Sequence, residues 1–167
     1  MTSARGWRIL LIAAAVFVFD QAAKFLILRW LQLGHERVVI DGFFKFVHWE
    51  NPGAAWNLLY GKNGLLAIVS VAALIGLVLW RHQFDTRTWL GQLALGLIGG
   101  GILGNLCDRL VREHVIDFLR FYLYPRGGGE IGFPAFNVAD SAICVGVALL
   151  IFISWNQDRT DEAALKS

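Results

Sequence analysis

GNLCDRLVREHVIDFLRFYLYPRGGGEIGFPAFNVADS, Gly104–Ser141, joins two long apolar segments, and its reading decides how the rest of the chain is read. Asn105, Asp108 and Arg109 close a segment otherwise built of Leu, Ile and Gly. Asn137, Asp140 and Ser141 open one built of Val, Ile, Leu and Ala. Asp117 lies between them. Carboxylates at the edge of a hydrocarbon slab are costly, so each needs a partner or a task there.

Working outward, the surroundings are those of a membrane protein. Of 167 residues, 56% are hydrophobic and only 17% charged, with a mean hydropathy of +0.54, whereas a soluble domain carries about a quarter charged residues. The length predicts one domain over residues 1–167. A net charge of +2, scattered along the chain, argues against nucleic acid as a partner. Cys107 and Cys144 have no companions at metal-ligand spacing, which predicts neither a disulfide framework nor a zinc site, and both are expected to pack as small apolar side chains.

Four apolar segments, at residues 7–28, 58–80, 89–106 and 138–155, approach the roughly 20 residues that a helix needs to cross a bilayer. The expected fold is therefore membrane α-helical, with four transmembrane helices. Arg5 and Arg8 ahead of the first segment resemble the start of a signal peptide, but Ala22-Ala23-Lys24 is a poor cleavage site and the apolar pattern resumes at Phe25, so a retained helix is expected. Arg5 and Arg8, then Arg81 and Arg87, are concentrated in short segments, whereas the basic residues of the connections at 29–57 and 107–137 are diluted. Positive-inside counting by density places both termini in the cytoplasm and both long connections on the outer face.

Those connections carry a β pattern. Val38-Val39-Ile40, Asp41-Gly42 and FFKFVHWE read as a hairpin, because Asp-Gly is a strong turn signal between β-prone runs. FLRFYLY, PRGGGE and IGFPAF repeat the design. The wealth of aromatic residues, Phe43, Phe44, Phe46 and Trp49 among them, suits the membrane–water boundary and predicts a small sheet on the outer leaflet.

Polar residues inside the spans are few. Asp20 and Lys24, four apart, share a helix face and can neutralise one another. Gly96, Gly100 and Gly104 recur every fourth residue and make a smooth face, expected to pack within the molecule. Asp108 and Arg109 are adjacent, so on a helix they diverge towards different partners. Asp140 falls in the first turn of the last span, where Asn137 can cap the helix. If the chain between Asp117 and Asp140 folds back, their carboxyls meet and share a proton, the arrangement by which aspartic proteases activate water. The histidines His35, His48, His82 and His114 form no HExxH pair, and no phosphate-binding loop is present, so no metal or cofactor is expected. Residue types alone leave three readings open: an acid–base pair, polar residues that only fix packing, or a proton-coupled transporter with Asp20, Lys24, Asp108 and Asp140 as its relay.

Five blocks carry a resemblance that covers nearly the whole chain: DQAAK at Asp20–Lys24, NPGAAW at Asn51–Trp56, GNLCDR at Gly104–Arg109, HVIDF at His114–Phe118 and FNVADS at Phe136–Ser141. In order, and around four spans, they resemble the lipoprotein signal peptidases (signal peptidase II), a family of bacterial membrane aspartic proteases. The resemblance implies four transmembrane helices with an outer-face β-cradle in the bacterial inner membrane, and no cofactor. It implies cleavage of diacylglyceryl-modified prolipoproteins before the lipidated cysteine. Asp117 and Asp140 fall on the family's catalytic aspartates. Asn51, Gly53, Asn105, Arg109 and Asn137 fall on positions that shape the site or hold substrate, while Asp20, Lys24 and Asp108 brace it. Membrane lipid as surroundings, a monomeric state and inhibition by globomycin-type cyclic peptides are expected on the same ground. The chain departs from the family pattern at Pro52, at Trp56 where Phe is usual, and at Glu113 near a common glycine.

Overall fold

The computed structural model describes residues 4–54, 58–84 and 86–165, with side chains as far as Asn156 except at His82. The elements follow in the order α1 (Ala4–Trp30), β1 (Glu36–Ile40), β2 (Phe44–Asn51), α2 (Asn63–Leu79), α3 (Trp89–Arg112), β3 (Val115–Leu123), β4 (Ile131–Gly132) and α4 (Val138–Leu165). Among the described residues, three helices are long and apolar enough to cross a membrane: α1, α3 and α4 over Val138–Asn156. The segment expected at 58–80 forms a shorter helix of 17 residues, about 26 Å at 1.5 Å per residue. It starts late because the chain before it is turn, with Leu59 and Gly61 both at positive φ.

The expected outer connection at 107–137 also begins later than its sequence suggests. Cys107–Arg112 continue α3 for more than another turn, because Asp108 and Arg112 pair along the helix at 2.7 Å and Asp108 turns inward. The helix stops at Glu113, which adopts a left-handed conformation with φ 65°.

The third helix is the centre of the bundle. It is largely buried, while α1 and α4 pack against it and expose most of their length. Gly96, Gly100 and Gly104 form the expected smooth face against α1, so close that a side chain on Gly104 would meet the Asp20 carboxylate at 2.6 Å. Away from α3, α1 exposes Leu10, Leu11, Val18, Phe19, Phe25 and Leu26, a continuous apolar surface that hydrocarbon can cover. Cys107 and Cys144 are both free; Cys144 is exposed on α4 rather than packed in the core.

Both aromatic-rich connections fold into one antiparallel sheet of order β1-β2-β3-β4. The Asp41-Gly42 turn joins β1 to β2, with Gly42 at φ 70°. The β2–β3 pair brings together segments far apart in the chain, in a register that sets Phe44 opposite Phe121 and Trp49 opposite Asp117. Between Phe46 and Trp49 the register shifts by a bulge, a device that re-aims side chains beside a site. Rings from Trp30, Phe46, Phe44, Phe121, Phe136 and Phe133 then follow one another at centroid spacings of 5.1–6.0 Å. An alternating ionic chain crosses the sheet: Glu36 to Lys45 at 2.8 Å, Lys45 to Glu130 at 2.7 Å, and Glu130 to Arg120 at 2.8 Å.

Candidate active site

Three helix ends and two strand ends converge at the sheet side of the bundle. The C-terminal part of α1 brings Asp20, Gln21 and Lys24, and that of α3 brings Asn105, Asp108, Arg109 and Arg112. The first turn of α4 brings Asp140, with Asn137 as its cap. The end of β2 supplies Asn51 and the start of β3 supplies Asp117. Asp20, Lys24, Asp108 and Asn137 are completely buried, and Asp117 nearly so.

Asn137 joins the two candidate catalytic carboxyls. Its side-chain amide donates to Asp117 Oδ1 at 2.9 Å, and its backbone N–H donates to Asp140 Oδ2 at 3.2 Å. In return, its side-chain oxygen accepts from the Asp140 N–H at 2.9 Å. That reciprocal pair is a capping box, which satisfies two of the donors left open at a helix start. Every remaining carboxyl oxygen of the two aspartates also receives a donor. Asn51 Nδ2 reaches Asp117 Oδ2 at 2.8 Å, and Asn105 Nδ2 reaches Asp140 Oδ1 at 2.7 Å.

Burial first, and the Asp140 charge second, push the Asp117 carboxyl from the ordinary range up to about 7; the Asn51 and Asn137 amides and the Lys24 charge pull the other way. Near neutral pH such a group holds its proton about half the time. It can therefore accept or donate one, as general acid–base chemistry requires.

Behind the pair lies an ionic group in which charges alternate. Lys24 Nζ sits 2.7 Å from both Asp20 Oδ2 and Asp108 Oδ2, and Arg112 is 2.7 Å from Asp108 Oδ1. Asp20 Oδ1 accepts from the Ala139 N–H at 2.9 Å, which fastens the start of α4 to α1. As adjacent helix positions must, Asp108 and Arg109 point apart. Arg109 reaches across to the Gly53 carbonyl at 3.3 Å, while the Gly53 N–H donates to Asn51 Oδ1 at 2.9 Å. Gly53 has no room for a side chain, since a Cβ would lie 2.8 Å from the Leu58 carbonyl. The Asn51–Ala54 part of the NPGAAW block thus supports the asparagine that holds Asp117; Trp56 lies outside the described residues.

The candidate site residues Asp20, Lys24, Asn51, Gly53, Asn105, Asp108, Arg109, Asp117, Asn137 and Asp140 fall within this one cluster. Asp20, Lys24, Asp108 and Asp140 gather at one end of the helices, not in file along them as a relay would need. Sequence reading missed three members. Gln21 donates to Asp20, the Gly104 carbonyl and Asp108, each at 3.2 Å. Arg112 was detectable from its four-residue spacing to Asp108. Asn63, which donates to the Arg109 carbonyl at 2.9 Å, is the first residue of α2, an ordinary place for Asn that carries no signal in the sequence.

Fold and site together define a class: a polytopic helical membrane protein with two carboxyls, linked through one asparagine, where its helices meet an aromatic sheet. Comparison with known proteins narrows it. The family model described as signal peptidase (SPase) II matches residues 12–156. Lipoprotein signal peptidase of Anoxybacillus flavithermus is 34% identical over 149 residues, covering 89% of this chain and 86% of the relative. That of Geobacillus kaustophilus is 40% identical over 139 residues, covering 83% and 87%. A bacterial membrane enzyme solved by the in meso method at 2.3 Å superposes with a TM-score of 0.78 at 34% identity, over 92% of this chain and 90% of that one. The chain accordingly belongs to the signal peptidase II family, and it is an aspartic peptidase.

Proposed function

We propose that this peptidase removes signal peptides from diacylglyceryl-modified prolipoproteins, cutting before the lipidated cysteine with Asp117 and Asp140 as the catalytic pair. The observation that carries the reading is the Asn137 bridge, which binds one carboxyl through its side chain and the other through its backbone. Two neighbouring carboxyls cannot both ionise cheaply, so one proton is shared between them. The ionised member takes a proton from water as the water oxygen attacks the carbonyl carbon before the cysteine. The protonated member donates to the carbonyl oxygen. When the tetrahedral intermediate collapses, the C–N bond breaks and the cysteine amino group leaves with a proton from the pair.

The supporting residues divide the remaining work. Asn51, Asn105 and Asn137 orient the carboxyls, Gly53 and Arg109 fix the loop beside them, and Asp20, Lys24 and Asp108 brace the helices. Substrate confined to the bilayer presents its scissile bond near headgroup level, and a site where helix ends meet an aromatic sheet suits that depth. We place α2 as the fourth span, both termini in the cytoplasm, and the sheet on the outer leaflet of the inner membrane. The enzyme acts as a monomer among membrane lipids, and globomycin-type cyclic peptides inhibit it.

Asp117→Asn and Asp140→Asn test the pair. Each is expected to insert and accumulate normally yet leave a diacylglyceryl-modified prolipoprotein uncut in a gel-shift assay. Full processing by either purified variant would overturn the assignment.

A further inference from the structure

The orientation of the Asn105 amide is set by a buried cation. Its Nδ2 donates to Asp140 Oδ1 at 2.7 Å, and its Oδ1 faces Lys24 Nζ at 3.1 Å. An ammonium donates only, so the asparagine atom facing it must be the oxygen. The planar amide then has its NH2 on the other side, towards Asp140. Turned over, it would set NH2 against both the ammonium and the Asn137 amide, which donates to Asn105 Oδ1 at 3.2 Å, and would set oxygen against a carboxyl oxygen. The other two asparagines that hold the Asp117 and Asp140 carboxyls are fixed differently, each by a backbone N–H: Gly53 for Asn51 and Asp140 for Asn137.

Lys24 is itself immobilised. It is completely buried, and its ammonium is directed at three acceptors: Asp20, Asp108 and Asn105. Without it, Asn105 Oδ1 would keep only the Asn137 amide as donor, which also serves Asp117 and the Ile116 carbonyl.

We propose that Lys24 is a positioning residue for the aspartate pair, its ammonium locking the Asn105 amide so that Asp140 always receives a donor. The proposal rests on Asp117 and Asp140 being the catalytic pair. Lys24 hydrogen-bonds to neither carboxyl of the pair; its contact route to them is the Asn105 amide, and its charge also pulls on Asp117 from a distance.

Lys24→Met by itself would leave two buried carboxylates short of a partner and endanger folding. Two charge-balanced variants avoid this, Lys24→Met with Asp20→Asn and Lys24→Met with Asp108→Asn. Each is assayed in detergent micelles on a diacylglyceryl-modified prolipoprotein, with thermal melting measured alongside. The expected result is a melting temperature near that of the parent in at least one pair. In that pair kcat falls roughly 10–100-fold, the loss typical when an outer partner of a catalytic group is removed, and KM stays within about twofold. Recovery of kcat together with the melting temperature would mean that Lys24 only balances charge. A change confined to KM, or failure of both pairs to accumulate, would likewise overturn the proposal. Asp140→Asn runs in parallel: if it still cleaves, the catalytic pair is wrong, whereas if it is dead and a balanced pair is fully active, only the role of Lys24 falls.

Discussion

A carboxyl that lies in apolar surroundings and can change its charge near neutral pH is the central fact at the scale of single residues. Asp117 meets that demand by burial beside Val115, Ile116 and Phe118, with donors on both of its oxygens. A consequence for stability follows from its position near 7. Between about pH 4 and pH 7 the folded protein keeps a proton on Asp117 that the unfolded chain has already released. The folded state therefore binds more protons in that window, and its stability falls as pH rises through it. Thermal melting in micelles from pH 4.5 to 8 should show the parent losing ground to Asp117→Asn, by an amount on the order of a few kcal/mol. Parallel pH profiles for the two proteins would contradict the raised carboxyl. Asp117 and Asp140 were legible in the sequence because acidic residues among Val, Ile and Phe are conspicuous. Gln21 and Asn63 were not, because uncharged amides are ordinary within a helix and at its start, and only their partners give them meaning.

Among the elements, α3 was the best forecast and its end the worst. Glycine at every fourth position predicted close packing, and α1 lies along that face near enough for Gly104 to touch Asp20. The end was misjudged because charged residues were taken to mark the exit from the helix, whereas Asp108 and Arg112 stay helical by pairing with each other. The helix ends instead at Glu113, an exposed residue held at φ 65°. A side chain makes that conformation costly by about 1 kcal/mol, a penalty that glycine escapes. Glu113→Gly should thus raise the melting temperature, and unchanged or lower stability would show that the Glu113 side chain offsets its own strain. The hairpin of β1 and β2 was read from Asp41-Gly42. The bulge between Phe46 and Trp49 was not, since nothing local distinguishes it from regular alternation.

For the whole molecule, the direction of the helices settles which ends lie together. The first helix runs towards the sheet and the last runs away from it, so the Ala4 end of α1 and the Leu165 end of α4 lie opposite the sheet, as does the start of α3. Arg5, Arg8, Arg81 and Arg87 all belong to that side, and basic residues in short segments favour the cytoplasm. A fluorescent-protein fusion at the C-terminus should glow, while an alkaline phosphatase fusion at the same place should be inactive. The opposite pair of results would invert the topology and place the site on the inner face.

Composition and local spacing by themselves determined that this is a helical membrane protein, where its β hairpins fall, and that Asp20 can pair with Lys24. Those properties depend on which residues lie within a few positions of each other. Tertiary structure alone decided that Asn137 bridges Asp117 and Asp140, that Asp108 rather than solvent completes the surroundings of Lys24, and that Arg109 reaches Gly53. Each of those contacts joins segments separated by at least 20 residues or assigns one of several available partners to a polar group. Hydrogen bonds are set by direction and distance in space, and a one-dimensional pattern names the candidates without choosing among them.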